Sequence, residues 1–207
     1  MGIVIQCESG RGPHSGYVGA AFPNEDRSAE LPGAMGAYVS EVMFWLYRPL
    51  TFMLWGGVFE RFPRLKAMVV EGGTMFMVPS WLMLLDHNYT DIQFSAKLGD
   101  FRSHLSMAPS EYFARNCGIG ASCVPRRDLD LKDQIGLKQI MWGSDFPHPE
   151  GTWPNTEQYY LDTFKGFDAD AGRQILGENA IQFYGMDSDY LNGLASDIGP
   201  SASIFNG

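Results

Sequence analysis

Short, nearly continuous apolar runs alternate along this chain with longer segments of helical period, and that alternation restricts the fold most. Ile3-Val4-Ile5, Leu65 to Val70, a weaker run within Cys117 to Val124, and Gln139 to Trp142 read as strands. Strands this apolar are buried on both faces, as in a parallel sheet covered by helices. The order β-α-β-α-β-α-β-α leaves two architectures, a small open α/β sheet or part of a (β/α)8 barrel. A full barrel takes about 250 residues. This chain has 207 residues and four strand signals, about half the strands.

Helical signal runs from Ala34 to about Phe62, with an interruption near Pro49 and a stop at Pro63. Val78, Trp81, Leu82, Leu85 and Tyr89 fall at helical spacing, with Pro79 in the first turn, where proline is tolerated. The last strong helix holds Ile175, Leu176, Asn179, Ala180, Phe183 and Tyr184. Residues 1–187 read as one domain, and 188–207, rich in Gly, Ser and Asp, as a weakly ordered tail. The Gly/Pro-rich stretch from Glu8 to Gly33 is too long for a plain connector, and such loops are often functional.

With 45% apolar and 19% charged residues, the composition is that of a globular domain. A formal net charge of −9 argues against nucleic acid and against anionic membranes, both of which need a basic surface. Met43 to Phe59 is the most apolar stretch, but Arg48, Pro49, Gly56 and Gly57 interrupt it, so it reads as a buried helix pair. Met1 runs into the first strand without a basic leader, which predicts a cytoplasmic protein. Gln6 stands where a myristoylation motif needs Ser or Thr. Cys7, Cys117 and Cys123 lack zinc-knuckle spacing and read as reduced, buried thiols.

In either architecture, ligands meet the C-terminal ends of the strands. The polar residues that end the runs are Gln6, Glu71 and Asp145, a pattern packing does not require. Asp145 lies within Trp142-Gly143-Ser144-Asp145-Phe146-Pro147-His148-Pro149, where a carboxylate can bind a divalent ion or accept a proton from water. His148 reaches the same pocket, and the helix beginning near Thr156 is too far along for Asp145 to be its cap. Glu71 precedes Gly72-Gly73, and it fits a ligand site as well as a place near a helix N-terminus. Trp153 reads as lining the mouth of the pocket or packing beside it. His14, in a polar loop, is a weak substrate candidate, and His87 and His104 read as helix-surface residues. Asn179, on an apolar helix face, reads as bonding the backbone.

Five segments then appear in order. They are Val58-Phe59-Glu60-Arg61-Phe62-Pro63-Arg64-Leu65-Lys66, Val70-Glu71-Gly72-Gly73, Pro109-Ser110-Glu111-Tyr112-Phe113, Ile140 through His148, and Leu176-Gly177-Glu178-Asn179-Ala180. Together they resemble the amidohydrolase-related family that includes aminocarboxymuconate semialdehyde decarboxylase. The resemblance implies an α/β fold that is the C-terminal part of a TIM barrel, about strands five to eight with their helices. It implies that Asp145 binds the metal or acts as general base. Glu71 occupies a position held by histidine in the decarboxylases, and Gln6 one usually held by a metal-binding histidine. The His-x-His pair of strand one has no counterpart.

The resulting expectation is a metal-dependent hydrolase or non-oxidative decarboxylase of a small carboxylated or cyclic substrate. The divalent ion of the intact family enzyme is expected to be Zn2+. Asp145 would take the proton from water, with His148 and Glu71 orienting substrate or water. Two alternatives stand beside it. One is a metal-independent lactonase-type hydrolase of the same fold. The other is an inactive half-barrel fragment that pairs with itself through two open sheet edges as a homo-oligomer.

Overall fold

The apolar runs are too short for stable helices and alternate with longer segments of helical period, so they fold as strands covered by helices. They are β1 (Gly2–Ile5), β2 (Lys66–Val69), β3 (Cys117–Ser122) and β4 (Ile140–Gly143). The computed structural model describes residues 2–5, 34–72, 75–91, 96–149 and 151–206. The strands form one sheet in the order β1-β2-β3-β4, every neighbouring pair parallel. Parallel pairing forces each connection to cross back to the start of the next strand. All four C-terminal ends therefore lie along one edge, as the sequence reading expected.

Side chains alternate across the sheet. Ala67, Val69, Ile119, Ala121 and Ile140 face the helices and share a core with Leu50, Leu54, Phe59, Phe113 and Phe164. Gly118 belongs to the other face. A Cβ there would stand 3.0 Å from the Met141 methyl and 3.2 Å from the Phe183 ring. The bare glycine lets those two side chains close over it.

Helix α1 (Ala34–Trp55) runs through Pro49 without a break. The expected interruption falls instead at Gly56-Gly57, where Gly57 takes the left-handed φ of 65° that starts α2 (Val58–Arg61). A proline inside a helix removes one hydrogen bond. Here the fully buried Leu46, Leu50 and Leu54 flank it and hold the helix on the core. Then come α3 (Met77–Thr90), α4 (Pro109–Asn116), and the single turns α5 (Arg126–Leu129) and α6 (Lys132–Ile135). After β4, α7 (Thr156–Phe164) is followed by α8 (Ala169–Arg173), which passes through a π-turn at Gln174–Glu178 into α9 (Asn179–Tyr184).

Residues beyond 187 form α10 (Ser188–Ile198) and a 3-10 turn at Ala202–Phe205. Ile204 is buried, and Phe205 packs edge-on to Phe164 at 6.2 Å between ring centres. Phe205 also lies over Gly172, where a Cβ would meet its ring at 2.1 Å. Among the described residues, no helix is long and apolar enough to cross a membrane.

Two buried asparagines fix where strands begin. Asn179 donates through Nδ2 to the carbonyls of Leu137 and Ile140, both at 2.8 Å. Asn116 does the same to Pro63 at 3.0 Å and Leu65 at 2.7 Å. An amide NH2 has two protons, so one side chain satisfies two carbonyls where the chain turns into a strand. The structural reading of Asn179 is what the fold shows. Asn116 carried no signal in the sequence.

Candidate active site

The three non-glycine residues with positive φ among the described residues are Glu71 (53°), Cys123 (51°) and Asp145 (61°). Each stands one or two positions past the C-terminal end of β2, β3 or β4. A left-handed conformation costs a side-chain-bearing residue about 1–3 kcal/mol and persists only where its surroundings impose it. Such residues cluster where backbone shape serves a site. The strand-end edge is therefore marked by geometry as well as by residue type.

At the end of β4, Asp145 is held in a closed loop. Its carbonyl accepts from the His148 N–H at 2.8 Å, and the His148 carbonyl accepts from the Gly151 N–H at 3.0 Å. Ser144 just before it accepts from the Thr152 N–H at 2.9 Å. The Asp145 carboxylate lies 3.7 Å from His148 Nδ1, with the aspartate side chain 17% exposed and the histidine 56%. The half-sheltered acid thus faces an imidazole that remains open to solvent and to an incoming molecule. Phe146 and Trp153, both exposed, meet edge-on at 5.8 Å and form a rim on this loop.

Gly151 permits the loop to close. A Cβ there would stand 2.8 Å from the Ser144 carbonyl oxygen, 2.9 Å from that of Asp145 and 3.0 Å from that of His148. Gly72 plays a similar part behind Glu71. Its N–H donates to the Gly120 carbonyl at 2.8 Å, and a Cβ would fall 2.5 Å from an Ile119 methyl. Only glycine lets the chain after Glu71 lie this close to β3.

Asp145 and His148 are brought together. Glu71 ends β2, with β3 between it and β4, so its backbone stands about 10 Å away at ordinary strand spacing. Cys123, past β3, fills the gap, and its N–H donates to the Gly143 carbonyl at 3.3 Å. Its sequence signal was weak, because the strand before it is rich in glycine. Tyr159 of α7 reaches across to donate to the Val124 carbonyl at 2.7 Å. Burial first, and then the neighbouring Cys123, push its hydroxyl up to about 12. Gln6 and His14 lie outside the described residues. His87 pairs with Asp91 at 3.6 Å in the last turn of α3, and His104 Nε2 sits 2.8 Å from the Trp55 carbonyl. Both are away from the strand ends.

Among the described residues no group of three or more His, Cys, Asp or Glu side chains converges to hold a metal. Asp145 and His148 make a pair, whereas a protein zinc site takes three or four ligands. The described residues alone therefore do not fit the ion. An apolar groove of about 520 Å3 lies between α1 and α3 and is lined in part by Phe44, Tyr47, Phe76, Trp81 and Leu84. It holds none of the strand-end residues.

The profile of the family described as amidohydrolase matches residues 42–186, and the chain belongs to that family. Over 138 residues it is 27% identical to the 2-amino-3-carboxymuconate-6-semialdehyde decarboxylase of Dictyostelium discoideum, a match covering 65% of this chain and 35% of that protein. It superposes on the crystal structure of 5-carboxyvanillate decarboxylase from Sphingomonas paucimobilis with a TM-score of 0.59 and 25% identity, covering 81% of this chain and 48% of that one. A dihydroxybenzoic acid decarboxylase from Polaromonas sp., solved with manganese and 2-nitroresorcinol, shares the fold at a TM-score of 0.53 and 18% identity, covering 79% of this chain and 47% of that one. The chain thus spans less than half the length of these relatives.

Proposed function

We propose that this chain carries the proton-handling half of an active site for non-oxidative decarboxylation of a small carboxylate on an aromatic or unsaturated carbon. The observation that carries this reading is the Asp145–His148 pair, held in a left-handed loop at the C-terminal end of a parallel strand. Family membership and likeness to two carboxylate decarboxylases favour decarboxylation over the lactonase alternative.

In decarboxylation the bond to the carboxylate breaks and its electron pair stays on carbon while CO2 leaves. That carbon must then take a proton. Asp145, largely sheltered and 3.7 Å from the His148 imidazole, is placed for that transfer. In a hydrolytic reaction the same carboxylate would take the proton from water. Glu71, from its own strained position, orients the substrate or a water, and the aromatic pair Phe146–Trp153 covers the substrate ring.

We also propose that β1–β4 correspond to strands five to eight of a TIM barrel. A divalent ion would take Asp145 as one ligand and need others besides Asp145 and His148, with Gln6 at the sequence position usually held by histidine. The test is CO2 release from 5-carboxyvanillate with Zn2+ or Mn2+ added. Turnover should fall by about 10²–10⁴-fold in Asp145→Ala. Equal turnover in the variant refutes the role given to Asp145.

A further inference from the structure

The left-handed turn at Asp145 needs something to impose it, and the loop's own hydrogen bonds lead to one buried side chain. Thr152 is only 7% exposed, although it stands between the part-buried Gly151 and the exposed Trp153. Its N–H donates to the Ser144 carbonyl at 2.9 Å. Its hydroxyl lies 3.4 Å from that same carbonyl and 3.0 Å from the hydroxyl of Thr156 in the first turn of α7. A buried hydroxyl without a partner costs free energy, so this one must be bonded. The hydrogens fit in one order, with Thr156 donating to Thr152 and Thr152 donating to Ser144. The far end of α7 is anchored in the core through Thr163 and Phe164.

We propose that Thr152 is a positioning residue for Asp145. Its backbone and hydroxyl grip the peptide immediately before the aspartate and tie it to α7, so that the carboxylate keeps its angle to His148 and to the substrate. This inference rests on the role given to Asp145 above. Nothing in the sequence marked Thr152, because a threonine in a Gly-Thr-Trp-Pro stretch reads as a plain loop residue.

The test compares Thr152→Val, which keeps the shape and removes the hydroxyl, with Thr152→Ser, which keeps the hydroxyl. Turnover is measured on 5-carboxyvanillate with added Zn2+ or Mn2+, and amide hydrogen exchange of the loop is followed in parallel. Thr152→Val should lower kcat about tenfold or more with KM nearly unchanged, since a small misplacement of a reacting group is enough for that. The acid limb of its pH–rate profile should move, and the His148 and Thr152 amides should exchange faster. Thr152→Ser should restore all three. If Thr152→Val does not fold, Thr156→Val breaks the same hydroxyl pair from the more exposed side and should give the same direction of change. Wild-type kcat, pH profile and exchange in both valine variants overturn the inference. Full activity of Asp145→Ala would instead sink the proposed function, and the exchange measurement would still decide whether Thr152 holds the loop.

Discussion

Gly151 and Asp145 show how few atoms define the candidate site. Replacing Gly151 by Ala places a methyl against three carbonyl oxygens of the Asp145 loop. The loop must open or shift, at a cost of about 1–3 kcal/mol. The expected result is a lowered urea midpoint together with lost turnover, and an unchanged midpoint would contradict the closed loop described here. Thiol chemistry gives a second check. Burial pushes the Cys117 thiol up, while Cys123 is half-buried at the strand ends. Iodoacetamide at mild alkaline pH should therefore label Cys123 before Cys117 in the native protein, and the difference should vanish in denaturant. The placement of Glu71 and Asp145 just past strand ends, with His148 in the same loop as Asp145, was legible in the sequence because each apolar run stops at a polar residue. Thr152, Cys123 and Asn116 were not, because their roles depend on which backbone atoms the fold brings beside them.

Elements whose boundaries are set by local chemistry were read correctly, and those set by tertiary packing were not. All four strands were found within a residue or two, since each is bounded by glycine, proline or a polar residue. The helix break was expected at Pro49 and occurs at Gly56-Gly57, because core burial on both sides outweighs one missing hydrogen bond. Asn179 is the element-scale test. In Asn179→Ala two buried carbonyls at the start of β4 lose their donor, which should cost about 1–3 kcal/mol in a urea titration. A change within error would show that these bonds do not hold the strand. Between α2 and α4, Glu60 accepts from the Tyr112 hydroxyl and from the Ser106 hydroxyl. The Tyr112 bond, followed by that of Ser106, holds its carboxyl below the ordinary value of 4.5. A depressed value means that this contribution is present above pH 4.5 and is lost as pH falls through the folded-state value. Glu60→Gln should flatten stability against pH in that acid range, and an unchanged acid limb would contradict the assignment.

At the scale of the whole molecule, the described residues of this amidohydrolase-family chain form a parallel α/β unit of four strands, with Glu71, Cys123 and Asp145 past the ends of three of them. Fold class was legible from periodicity alone, whereas the choice of family needed five motifs in order, because any single one also fits an ordinary strand or helix end. Two places compete for the ligand: the strand-end edge around Asp145 and the apolar groove between α1 and α3. The groove is lined by no acid or histidine that could move a proton. The most direct test is an NMR titration with 5-carboxyvanillate in the presence of Zn2+. Shifts should concentrate on Glu71, Asp145, Phe146, His148 and Trp153 and disappear in Asp145→Ala. Shifts confined to Phe44, Phe76 and Trp81, unaffected by that substitution, would contradict a strand-end active site.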